Sequence, residues 1–135
     1  MFKRIGILLA STAVAVAGMA DDKVGYLKRD LFDRDKINIH DQRDNKIGHQ
    51  KPDLFDRNKI NIFDGNGRKI GYKKRDLFDA DKINVFDRTG RKTGYLKSDL
   101  FDRCKINTYD TRGRRTGYQK NDLFDKRKTN LFRRR

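Results

Sequence analysis

Glutamate is absent from this sequence. All 19 acidic side chains among its 135 residues are aspartate, tryptophan is missing, and proline and cysteine occur once each. Each scarcity excludes something. The short aspartate carboxylate competes for nearby backbone amides, so it suits turns and caps and argues against long helices. A lone thiol, Cys104, permits no intramolecular disulfide; it is either a drifted turn residue or the thiol of a Cys104-linked dimer. Stability must therefore come from packing. No long apolar run is present either. The best candidate, Ile5 to Ala17, is short and interrupted by Ser11 and Thr12, so no integral membrane span is expected in the mature chain.

That stretch reads instead as an export signal. Lys3 and Arg4 precede the apolar segment, and Gly18-Met19-Ala20 offers small residues for a signal peptidase. The expected division is a secretory signal over 1–20 and one domain over 21–135, which places the protein in the periplasm or outside a bacterial cell. The remaining 115 residues suffice for one modest core.

What the sequence has in abundance is itself. "RDLFDRDKIN" at 29–38 returns as "PDLFDRNKIN", "RDLFDADKIN", "SDLFDRCKIN" and "NDLFDKRKTN". Gly25, Gly48, Gly71, Gly94 and Gly117 stand 23 residues apart, and 115 is five times 23. Such a period means a repeat architecture. Each unit reads as a β-hairpin, with one strand typified by "RKIGYKKRD" (68–76) and the other by "KINVFD" (82–87). Asp64-Gly65-Asn66-Gly67, Asp87-Arg88-Thr89-Gly90 and Asp110-Thr111-Arg112-Gly113 suit type I turns followed by a left-handed residue, a place taken by Asp44 in the first unit. "LFDADK" (77–82) makes the other turn, anchored by Asp79.

Parity along the strands predicts which side is packed. Ile70, Tyr72, Lys74 and Asp76 recur almost unchanged, whereas the opposite face carries Lys69, Gly71, Lys73 and Arg75, of which the last two have counterparts that drift. The constant set is expected inside and the drifting set in solvent. Both faces of the second strand recur, so both should be covered. Leu77 and Phe78, repeated in every unit, are expected to plug the joints between hairpins.

A single hairpin is marginal in water, so the units must pack on one another. The expected fold is all-β, five 23-residue hairpins closed radially into a barrel-like ring, or else stacked as an open β-solenoid. Solenoids need atypical terminal units, and here the first and last units keep "DLFD". Closure would also remove exposed edges. "INVFDRTGRKTGYLKSD" (83–99), with its D-x-x-G turn and following Gly-Tyr, resembles the units of bacterial exported β-flower proteins. That resemblance covers 21–135 and implies hairpins radiating about a pseudo-symmetry axis. It implies no activity.

Chemistry is sparse. Asp33, Asp35 and Asn38 open like a calcium loop, but Ile37 and Asn38 stand where such a loop wants an oxygen ligand and glycine. The middle ligand becomes Asn58, Asp81, Cys104 and Arg127 in later units, so no metal or cofactor is expected. His40 and His49 stand where other units carry aromatics, which suits packing better than base catalysis, and no nucleophile pairs with them by spacing. A non-enzymatic role follows. Lysine beside aspartate, as at Lys74 and Asp76, reads as salt bridges between hairpins.

Positive charge is what remains. The chain carries +15, and the excess climbs toward "FDKRKTNLFRRR". Arg68, Lys69, Arg91, Lys92, Arg114 and Arg115 flank equivalent turns, and Arg133, Arg134 and Arg135 follow the last strand. These nine are the expected anion contacts, on a multivalent surface for an anionic polymer or the cell envelope: lipopolysaccharide, acidic glycan or nucleic acid. The alternative is a structural or protein-interaction module whose charge serves only solubility.

Overall fold

The computed structural model describes residues 22–134; the leader expected at 1–20 and Arg135 lie outside the described residues. Ten strands follow one another: β1 (Asp22–Arg29), β2 (Ile37–Asp41), β3 (Lys46–Pro52), β4 (Lys59–Asp64), β5 (Lys69–Arg75), β6 (Lys82–Asp87), β7 (Lys92–Ser98), β8 (Lys105–Asp110), β9 (Arg115–Asn121) and β10 (Lys128–Arg133). Each pairs antiparallel with its neighbours in the chain, and β1 pairs with β10, so the sheet closes into a barrel. At the seam Asp22 faces Arg133, Leu27 faces Thr129 and Lys28 faces Lys128. The ring is the expected one; the open solenoid is excluded.

Both sets of connections are built by aspartate. After β4, the Asp64 amide donates to the Arg68 carbonyl (2.9 Å) and the Gly67 amide to the Asp64 carbonyl (3.1 Å). The Asp64 carboxylate accepts from the amides of Asn66 and Arg68. Gly67, Gly90 and Gly113 have φ of 83°, 88° and 81°, and Asp44 has 70°, the left-handed geometry expected at this place. At the other end, after β5, Asp76 accepts from the amides of Phe78 and Asp79 at 3.0 Å each and from Asn84 Nδ2 at 2.8 Å. Asp79 in turn accepts from the Asp81 amide. All five connections at this end repeat the Asp anchor with Asn38, Asn61, Asn84, Asn107 and Asn130.

From Gly71 to Lys74 the expected inside and outside are reversed, while Ile70 is inside and Lys69 and Arg75 exposed as expected. Gly71 and Lys73 face the barrel axis, as do Leu27, Gln50 and Leu96 at the position equivalent to Lys73. Tyr72 and Lys74 lie on the outer wall. A register slip explains the reversal. Ile62 pairs with Gly71 but Phe63 pairs with Lys69, which leaves Ile70 as the extra residue of a β-bulge. The same slip recurs after Ile39, Val85 and Thr108, and at the seam between Lys23 and Gly25. A bulge inserts one residue and resets the alternation, so parity counted from Ile70 to Tyr72 fails. Ile70 turns inward, where Leu27, Ile39, Ile62 and Leu131 form one apolar cluster together with Val24, Ile37 and Ile47. Val85 and Leu96 form a second, with Ile83 and Ile106. Gly25, Gly71, Gly94 and Gly117, beside their bulges, sit under a neighbouring strand: a methyl group on Gly71 would strike the Phe86 carbonyl oxygen, and one on Gly94 the Tyr109 carbonyl oxygen.

The Leu-Phe pairs are not plugs. Leu31 is 72% exposed, Phe32 95% and Phe78 96%, and the pairs at 54–55, 100–101 and 123–124 are equally bare. Every connection of this type follows an odd-numbered strand, so all five pairs crown one end of the barrel. Two aspartate anchors hold each loop and leave its apolar tip pointing away from the core.

Candidate anion-binding surface

The repeated side chains of the outer wall tie the two strands of each hairpin together by ring stacking, and join hairpin to hairpin through lysine. Tyr72 on β5 stacks on Phe86 of β6, with ring centroids 4.8 Å apart. Tyr95 stacks on Tyr109 and Tyr118 on Phe132 in the same way. His40 stacks on Tyr26 at 4.7 Å and His49 on Phe63 at 4.8 Å, so both histidines fill aromatic places in this pattern. Burial, reinforced by Lys46 beside His40 and by Lys36 and Lys46 beside His49, holds both imidazoles below their usual pKa.

Cations close on the same tyrosines. Lys59 Nζ, from the preceding hairpin, lies 4.4 Å from the Tyr72 centroid, and Lys69 Nζ lies 5.2 Å from it. Lys82 and Lys92 approach Tyr95 at 4.4 and 5.3 Å. Lys105 and Arg115 approach Tyr118 at 4.4 and 5.4 Å. Lys128 and Lys23 approach Tyr26 at 4.3 and 5.6 Å, across the seam. These distances are within cation–π range. Desolvation, with a smaller contribution from the facing lysine, lowers the pKa of Lys46, Lys69 and Lys92; the facing lysines are Lys36, Lys59 and Lys82. Two like charges converging on one ring leave a place that an anionic oxygen would relieve.

Nearer the crown, a second ring of charges is already neutralised. Lys28–Asp125, Lys51–Asp33, Lys74–Asp56, Lys97–Asp79 and Lys120–Asp102 are ion pairs of 2.9–3.1 Å, each joining one hairpin to the one before it round the barrel. The expected salt bridges between hairpins are present, but Lys74 takes Asp56 in place of Asp76. The calcium-like loop is accounted for as well, since Asp33 accepts from the Asp35 amide and from Lys51 Nζ. Exposed Cys104 occupies the corresponding turn place, its amide donating to Asp102.

The nine residues expected to bind anions divide into three groups. Lys69, Lys92 and Arg115 join the tyrosine clusters. Arg68, Arg91 and Arg114 lie exposed in the turns, and Arg114 Nε is tied to Asp110 of its own turn at 2.9 Å. Arg133 ends β10 opposite Asp22 and Gly117, exposed Arg134 donates its amide to the Thr116 carbonyl, and Arg135 lies outside the described residues. Sequence reasoning missed the partner cations Lys59, Lys82, Lys105 and Lys128. Their recurrence in "KIN" and "KTN" was visible, but their approach to tyrosine is diagonal across strands and needs the register.

No protein-family model matches the chain, and no curated protein matches it. Among solved structures, an Arabidopsis thaliana protein determined by X-ray crystallography superposes with a TM-score of 0.51 at 11% identity, covering 90% of this chain and 88% of that one. The likeness is one of fold alone.

Proposed function

We propose that this barrel is an exported, non-enzymatic module of the bacterial envelope, akin to β-flower proteins, that holds an anionic polymer against its outer wall. The observation that carries the reading is the convergence of two cations on one tyrosine, repeated around the ring at Tyr26, Tyr72, Tyr95 and Tyr118. Sulfate, phosphate or carboxylate groups spaced along a flexible chain would meet equivalent cation pairs in succession. Each such contact is weak in water and salt, but several engaged together add through effective concentration. Lipopolysaccharide, acidic glycan and nucleic acid share this chemistry. The exposed arginines of the turns would extend the same track.

Heparin retention against a salt gradient tests the reading. Exchanging Lys59, Lys82 and Lys105 for glutamine should move elution to lower salt and flatten the dependence of affinity on salt by about one unit of slope per lost contact. Exchanging Arg68 and Arg91 as well should weaken retention further. Elution unchanged by these substitutions would leave the charge with solubility alone, and favour the protein-interaction module. Export is tested separately by the mass of the mature chain, which should correspond to a cut after Ala20.

A further inference from the structure

We infer that the crown of Leu-Phe tips is a membrane-docking surface that seats the barrel upright on an anionic phospholipid bilayer. This concerns the rim and not the wall, and it stands whether or not the wall binds polymers. Ten large apolar side chains, Leu31 and Phe32 through Leu123 and Phe124, lie at one end of the molecule, each at least 72% exposed. Apolar groups so fully and repeatedly bare mark a contact surface. They are also held ready. Asp30, Asp53, Asp76, Asp99 and Asp122 bind the Phe amide of each tip, so little ordering entropy remains to be lost on insertion.

Charge selects the occupant. The residue after each "DLFD" is Arg34, Arg57, Ala80, Arg103 or Lys126, all exposed beside the apolar pair. Of the nearby carboxylates, Asp33, Asp56, Asp79, Asp102 and Asp125 are each covered by a lysine of the neighbouring hairpin, and the anchors Asp30, Asp53, Asp76, Asp99 and Asp122 are each occupied by amides and an asparagine of their own hairpin. Phenylalanine and leucine tips collared by arginine or lysine at four of the five loops are the pattern of an interfacial anchor, apolar groups entering the acyl boundary and cations meeting lipid phosphates. A second copy fits poorly, because crown against crown would bring those arginines face to face. A spanning barrel fits poorly as well, since the outer wall carries Lys51, Lys74, Lys97 and Lys120, and lysine facing acyl chains is costly. Asp35 and Asp81 sit in the first and third loops where the fifth has Arg127, so the fifth tip should hold most tightly.

The chain has no tryptophan, which makes F124W a clean reporter. With phosphatidylglycerol–phosphatidylcholine vesicles its emission should shift to the blue and be quenched by lipids brominated in the acyl chain. Replacing Phe32, Phe55, Phe78, Phe101 and Phe124 together by serine should weaken vesicle co-sedimentation on the order of a hundredfold, while heparin elution and thermal unfolding stay as in the parent. Three results would overturn the proposal: no shift and no quenching with vesicles; co-sedimentation unchanged in the five-serine variant, which would assign vesicle binding to wall cations; or a blue shift without lipid that tracks a concentration-dependent dimer. Equal binding to pure phosphatidylcholine would overturn its anionic part.

Discussion

The two walls of the barrel obey different rules. On the outside the five hairpins are nearly copies, with Tyr or His on an aromatic, Lys toward tyrosine, and Lys on Asp of the hairpin before. On the inside, the position two residues after the bulge glycine is Leu27, Gln50, Lys73, Leu96 and Gln119 in turn. The outer contacts are pairwise and directional, so every joint needs the same groups at the same place. The inner side chains all share one enclosed volume, where a long residue on one strand can be offset by a short one on another. Sameness here reports joints, and variety reports filling.

Breaking the inner wall should cost most. Ile39 is fully buried, and Ile39→Ala should lower unfolding free energy by about 3 kcal/mol, through lost transfer energy and an unfilled cavity, as read by chemical denaturation.

Lys73 sharpens the contrast with the opposite sign. It is 8% exposed, and burial alone lowers its ammonium to about 8 from the ordinary 10.5. A lysine with a depressed folded pKa opposes folding fully below that value and ceases to do so as pH rises through it toward the unfolded value. Lys73→Leu, which copies Leu27 and Leu96, should therefore stabilise the barrel by about 2 kcal/mol at neutral pH. The advantage should shrink between pH 8 and 10.5; an advantage independent of pH would place the ammonium in water.

The outer wall should yield less. Tyr72→Ala removes a stack and two cation contacts and should cost about 1–2 kcal/mol, a loss that Phe at the same place should largely restore. Lys74→Ala breaks the pair with Asp56, whose side chains are 43% and 33% exposed, and should cost about 0.5 kcal/mol or less, fading with added salt. If Lys74→Ala cost as much as Ile39→Ala, the division between joints and filling would fail.

Much of the fold was legible because turn chemistry is local. Asp64 with Gly67 and Asp76 with Phe78 announce their turns in a few residues, and a period of 23 with unaltered end units points to a ring. The sidedness was not legible, because the bulge at Ile70 shows itself only across strands. Counting by twos through an unseen extra residue put Tyr72 inside and Lys73 outside. The crown was misread for another reason. Leu77 and Phe78 are apolar, and burial is the ordinary inference, but Asp76 and Asp79 fix the loop so that neither can turn back. The candidate cations were half legible: Lys69, Lys92 and Arg115 by repetition, their partners Lys59, Lys82 and Lys105 only once the register is known.

The seam between β1 and β10 carries the same bulge and the same ion pair as every other joint, and the same lysine toward tyrosine as the joints at Tyr72, Tyr95 and Tyr118. A chain so self-similar has many wrong ways to pair, and an open sheet of these hairpins would invite a further hairpin from any neighbour. Once the circle is sealed there is no vacant rung. The ring thereby converts a sequence suited to fibres into a counted object, and a version cut at any Asp-x-x-Gly turn and rejoined elsewhere would meet the same ten staves.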